Sequence, residues 1–150
     1  KIKSKINNMA FSSDFIVGYP GESENDFDQT IDLIEQIGFA SSYSFKYSQR
    51  AGTQASLKHL DVVDEKTSNL RLKKIQRLLK KQQEEFNFKF IDKNEEVLFT
   101  DKGNKNNQFV GRTKYLQPVH VLSHKNIIGR KLMVNLENLT SFSFHGKIIN

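Results

Sequence analysis

The sequence predicts two folds in succession, an α/β segment belonging to a βα barrel and a small antiparallel β-barrel, joined by a long helix. Three observations carry this. The apolar residues Phe15, Ile16 and Val17 run into a Pro20-Gly21 turn and then into a capped amphipathic helix. A basic stretch from Asp64 to about Phe90 keeps an apolar stripe at helical spacing. From residue 95 onward the chain breaks into short alternating runs separated by Gly, Asn and Ser. The fold class is therefore α/β plus all-β, with expected segments 1–63, 64–93 and 94–150.

Phe15 to Val17 reads as a strand buried on both faces, as in a parallel sheet. Ser23 is a helix N-cap with Asp26 three residues on, and Glu24, Asp26 and Asp28 suit the positive end of the helix dipole. Phe27, Ile31, Ile34 and Ile37 fall on one face of that helix, and Gly38 stops it. In a second strand, Ser42 to Tyr47, the residues Tyr43, Phe45 and Tyr47 alternate as strand residues do. One helix leaves most of a two-stranded sheet uncovered, so this βαβ unit is not expected to stand alone.

The stretch from Asp64 to about Phe90 reads as one helix with Leu72, Ile75, Leu79, Phe86 and Phe90 on its apolar stripe. Arg71, Lys73, Lys74, Arg77, Lys80 and Lys81 spread over the rest, as on a solvated face. Five strands follow, over residues 95–101, 108–113, 118–123, 131–137 and 142–149. Leu132, Val134 and Leu136 alternate, as do Phe142, Phe144 and Ile148 around Gly146. Short strands at this density predict a small closed barrel.

Composition limits the function. At 150 residues the chain holds one ordinary domain or two small ones, not a complete βα barrel. No apolar run approaches the roughly 20 residues that span a bilayer, and Lys and Asn break the N-terminal stretch too often for a secretory signal. The expected location is cytoplasmic, with no membrane partner. The absence of cysteine excludes disulfides, zinc knuckles and thiolate-bound clusters within the chain. A start at Lys1 rather than Met reads as a natural truncation or a trimmed product.

Charge is unevenly distributed. Residues 1–65 carry 6 Lys and Arg against 10 Asp and Glu, a net of −4, whereas residues 66–95 and 96–150 each carry a net of +5. An acidic first part followed by basic ones points to a junction near residue 65 and to a polyanion such as RNA as partner of the basic part. Enrichment in Lys, Asn, Ile and Phe together also fits an AT-rich genome, so composition alone leaves both explanations standing. His59, His120, His124 and His145 are scattered and have no metal-ligand spacing, so no metal site is expected. The chain has no nucleophile motif, phosphate loop or internal repeat, and no catalytic residue is assigned.

In a βα barrel, ligands meet the C-terminal ends of strands, here residues 17–22 and the Ser48-Gln49-Arg50-Ala51-Gly52-Thr53 loop. Gly18 and Gly21 let backbone come close to a flat ligand and Arg50 can pair with a carboxylate, although ordinary turn chemistry explains the same residues. The run from Asp14 through Glu22, with the second strand and its loop, resembles the last strands of the radical S-adenosylmethionine barrel in tRNA methylthiotransferases. That resemblance implies that Ile16 and Gly18 flank the adenine of S-adenosylmethionine, with Arg50 nearby as a cofactor contact. The loop departs from the family pattern at Gln49, Ala51 and Gln54, where prolines are expected, which puts its rigidity in question.

Residues 95–149, with Gly111-Arg112-Thr113 and the closing run from Ser143 to Ile149, resemble the TRAM module, an OB-like RNA-binding barrel appended to tRNA-modifying enzymes. Arg112, Lys114, Tyr115, Gln117 and His120 are the expected RNA contacts, combining cations for phosphate, a ring that stacks and polar groups that read an edge. His120, between Val119 and Val121, is equally explained as one solvent-facing polar residue. Lys125, Arg130 and Lys131 form a second, weaker basic cluster.

Together the chain resembles the C-terminal part of the MiaB type of methylthiotransferase, the tRNA-2-methylthio-N6-dimethylallyladenosine synthases. The family uses two [4Fe–4S] clusters and S-adenosylmethionine to methylthiolate an isopentenylated adenosine beside the anticodon. The chain holds none of the cluster cysteines, so it is expected to bind no cluster and to be inactive by itself. Its expected partners are the tRNA anticodon stem-loop and the remaining N-terminal part of the same enzyme. A basic module argues for tRNA over the ribosomal-protein substrate of a related methylthiotransferase. The alternative is a free-standing RNA-binding adaptor that keeps a relic of the barrel.

Overall fold

The computed structural model describes residues 5–6, 9–57 and 61–149. His59 and most of the Lys- and Asn-rich N-terminal stretch lie outside the described residues. The chain divides into two compact units, Lys1–Gln83 and Glu84–Asn150.

In the first unit, β1 (Ser12–Val17) and β2 (Ser41–Lys46) pair in parallel, with Ile16 opposite Phe45 and Asp14 opposite Tyr43. Helix α1 (Glu24–Ile37) connects them. Its start is the expected one: Asp26 N–H donates to Ser23 Oγ at 3.1 Å, and Ser23 N–H donates to Asp26 Oδ2 at 2.9 Å. The Ser23 hydrogen bonds hold the Asp26 carboxyl below its ordinary value. At the other end, Gly38 with φ 64° donates its N–H to Ile34 O.

A short helix α2 (Gln54–Leu57) precedes α3 (Glu65–Phe88), whose entry is held by Thr67 N–H on Asp64 Oδ1 at 3.0 Å. Within the first unit, α3 does more than solvate a charged face. Its Ile75 and Leu79 join Phe15, Val17, Phe27, Ile31, Ile34 and Phe39 in one core. Fully buried side chains such as Val17, Phe27, Ile34 and Ile75 each contribute roughly 1.5–3 kcal/mol relative to exposure. Gln82 ties the far side, accepting from Phe39 N–H and donating to Ile34 O, both at 2.8 Å.

The expectation that β1 is covered on both faces is not met. Phe15 and Val17 face the core, but Ile16 is 57% exposed and its sheet neighbours Tyr43 and Phe45 are 69% and 53% exposed. Both helices contribute to the core on the Phe15 and Val17 face, which leaves the opposite face of the sheet open. Arg71 also departs from the solvated face expected for it. It is 6% exposed, with Nη1 on Glu22 Oε2 at 2.6 Å and Nη2 on Glu24 Oε2 at 2.9 Å. Burial opposes its charge, and the bonds to Glu24 and Glu22 outweigh that, so its pKa is raised.

The second unit is a closed five-stranded barrel of β3 (Asn94–Lys102), β4 (Gln108–Thr113), β5 (Pro118–Leu122), β6 (Lys131–Leu139) and β7 (Phe144–Ile148). Around the barrel the order is β3-β4-β5-β7-β6, with β6 returning to β3. Every pairing is antiparallel except β5–β7, a parallel seam of two residue pairs, Val119 with Phe144 and His120 with His145. Inward alternation fills the interior with Val97, Phe99, Phe109, Val119, Val121, Val134, Leu136 and Phe144. Phe142, expected on the last strand, lies in the turn before it and is 59% exposed, because β7 begins two residues later.

Candidate nucleic-acid interface

At the strand ends of the first unit, Gly18 sits with φ 72° and its N–H donates to Glu22 Oε2 at 2.8 Å. A Cβ there would run into Ser68 Oγ, so the close approach that requires glycine is made by α3. Arg71 bonds the same Glu22 carboxylate, which makes the Pro20-Gly21 turn part of a buried ion-pair network. Ile16 points to the open face, and Arg50 is exposed with its carbonyl capping Thr53 N–H and Oγ1. Of the three expected cofactor contacts, Ile16 presents an exposed side chain on the strand, and Arg50 presents one on the loop after β2. The Gly18 amide is already engaged, and among the described residues no hydrogen bond or ion pair joins Arg50 to Ile16 or Gly18.

The chain offers no thiolate for an iron–sulfur cluster. Among the described residues, no group of three or more His, Asp or Glu is placed to hold a metal ion. No described helix is long and apolar enough to cross a membrane.

On the barrel, the expected RNA residues divide between surface and interior. Arg112 is exposed and donates from Nη1 to Leu116 O at 2.9 Å, pinning a β4–β5 turn in which Leu116 has φ 62°. Lys114 Nζ lies 3.7 Å from Glu95 Oε2 and 5.1 Å from the Tyr115 ring. Tyr115 packs against Phe86 and Phe90 with centroids 5.5 and 5.1 Å away, so most of its ring surface is spent on protein. Gln117 is 5% exposed, and its amide bridges Asn87 Oδ1 at 2.8 Å and Thr113 Oγ1 at 2.9 Å. These contacts lock the β4–β5 turn to the last turn of α3 within the second unit.

His120 lies apart from that cluster, on the parallel seam. Its ring centroid is 5.4 Å from that of His145, and its Nδ1 is buried with no hydrogen-bond partner. Burial lowers its pKa from 6.5, and the neighbouring His145 adds to the effect.

Sequence reasoning missed a cleft at the other end of the barrel, about 330 Å³ in volume, between the β3–β4 loop and the turn after β5. Lys102, Lys105, Lys125, His124, Asn106 and Asn107 are among its lining, which contains no acidic residue. Gln108 pairs with Leu122 and Arg112 with Pro118, so the cleft and the β4–β5 turn lie at opposite ends of one strand pair, about 17 Å apart along β4. Loop composition was the available signal: three Asn and two Lys over residues 102–107 read as a turn, and nothing local brings Lys125 to it.

A comparison with models of known protein families finds no match for this chain.

Proposed function

We propose that the chain is the C-terminal part of a radical S-adenosylmethionine tRNA methylthiotransferase, in which residues 94–150 form an OB-like, TRAM-type barrel that binds the tRNA anticodon stem-loop. The observation that carries this reading is the barrel order β3-β4-β5-β7-β6 with its single parallel seam, on a basic surface. Small barrels of this kind hold nucleic acid through a strand face and the loops at its end.

The open apolar face of Ile16, Tyr43 and Phe45 supports the barrel reading of the first unit and its partner, the rest of the same enzyme. In a βα barrel helices cover one face of the parallel sheet, and the other faces the barrel interior. An adaptor with a relic of the barrel has no reason to keep three large apolar side chains on such a face. In the assembled enzyme the cluster ligands come from the remaining chain. The residues here contribute the apolar wall at Ile16 and the tRNA contact.

The test is direct binding of the whole chain to a fluorescently labelled anticodon stem-loop, with a DNA hairpin of equal length as competitor. Affinity should favour the RNA and fall roughly tenfold between about 50 and 200 mM salt, as release of counterions from a few contacts requires. Equal affinity for both nucleic acids, or none for either, would overturn the reading.

A further inference from the structure

We propose that the cleft between the β3–β4 loop and the turn after β5 receives an unpaired segment of RNA, with Lys102, Lys105 and Lys125 on its phosphates. This deepens the RNA-binding reading and rests on it, but moves the principal contact to the end of the barrel away from the β4–β5 turn.

Charge compensation decides between the two ends. At the β4–β5 turn, Lys114 is paired with Glu95 and Gln117 is consumed inside, while Arg112 keeps its charge with Nη1 held by Leu116 O. In the cleft, none of the three lysine ammonium groups forms an ion pair among the described residues, and the lining supplies no carboxylate. Three like charges around one concavity repel one another, and an anion entering it relieves that repulsion.

The walls are built before any ligand arrives. Gly103 N–H donates to Gln108 O at 2.7 Å and Gln108 N–H to Lys105 O at 3.1 Å, closing the β3–β4 loop on itself. A Cβ at Gly103 would run into the buried Gln108 side chain, so only glycine permits this closure. Ser123 N–H donates to Asn107 O at 2.9 Å, which fastens the second wall to the first. Little ordering remains to oppose binding. A space of about 330 Å³ admits one nucleotide and not a stacked base pair. The amides of Asn106 and Asn107 and the His124 ring at its margin supply edge and stacking contacts for a base turned out of a helix.

The experiment compares two triple variants of the whole chain that remove equal charge. One is Lys102→Ala/Lys105→Ala/Lys125→Ala; the other is Lys93→Ala/Lys114→Ala/Lys147→Ala. Binding to a fluorescein-labelled single-stranded oligoribonucleotide is followed by anisotropy over a salt series, and circular dichroism checks that both variants remain folded. The cleft variant should lose roughly tenfold or more at about 50 mM salt, and its log–log salt slope should fall by about 2, at 0.7 per phosphate contact on a single strand. The control variant should lose far less. In the wild-type chain, the amide resonances of Gly103, Asn106 and Lys125 should shift on RNA addition. Equal losses in the two variants, or shifts confined to residues 112–117, would overturn the site while leaving RNA binding intact. A wild-type chain that binds no RNA would overturn both.

Discussion

Gly18 illustrates how a residue can be legible in sequence while its partner is not. The Pro-Gly turn announces close approach of backbone, yet what approaches is Ser68, fifty residues away on α3, rather than a ligand. Gly18→Ala should therefore destabilise the first unit by about 2–3 kcal/mol, from positive-φ strain plus the steric conflict, whereas Gly52→Ala, at φ 81° with open space around it, pays only the strain. Ser68→Ala in the Gly18→Ala background should recover part of the loss in urea unfolding. No recovery would mean that strain alone accounts for it. Arg71 shows the same limit more sharply. Its helical position places it among five other cations, and the carboxylates that draw it inward lie 47 and 49 residues earlier in the chain. No local period encodes such a pairing. Tyr115 and Gln117 have the chemistry of RNA contacts, and the same chemistry serves packing against Phe86, Asn87 and Phe90.

The five barrel strands fall where alternation puts them, β4 at the expected residues and the others within about two residues, because inward and outward positions differ in burial and period two records it. Partner order is another matter. The parallel β5–β7 seam follows from which edges remain after the hairpins form, and no pair of residues advertises it. That seam carries His120 beside His145, and its acid response follows from burial. The unfolded chain takes up a proton on residue 120 near pH 6.5 while the folded barrel resists it, so stability contributed by the neutral ring is present above that pH and lost as pH falls below it. Urea midpoints of the second unit should drop between about pH 7.5 and about pH 5, and His120→Gln should flatten that drop. An unchanged slope in the variant would assign the effect to other groups.

Across the molecule, the division into an acidic and a basic part is visible in the charge count, but the open face of the first unit is not, since Phe15-Ile16-Val17 reads as buried throughout. Exposure makes a clear forecast: Phe45→Thr should change the unfolding free energy by less than about 0.5 kcal/mol, while Phe15→Ala on the other face of the sheet should cost about 3 kcal/mol. A comparable loss at both positions would show that a second copy covers the face in solution. The barrel's strand order bears on how the protein is made. Of the five barrel strands β7 is made last, yet it takes its place between β5 and β6 rather than at a margin. Until it emerges, the four earlier strands keep two unpaired borders and an interior without Phe144, so the nascent barrel stays open through nearly all of its synthesis. Completion of the barrel waits on its last strand, and a chain cut short before β7 leaves a sticky, unclosed sheet for the cell's proteases to clear.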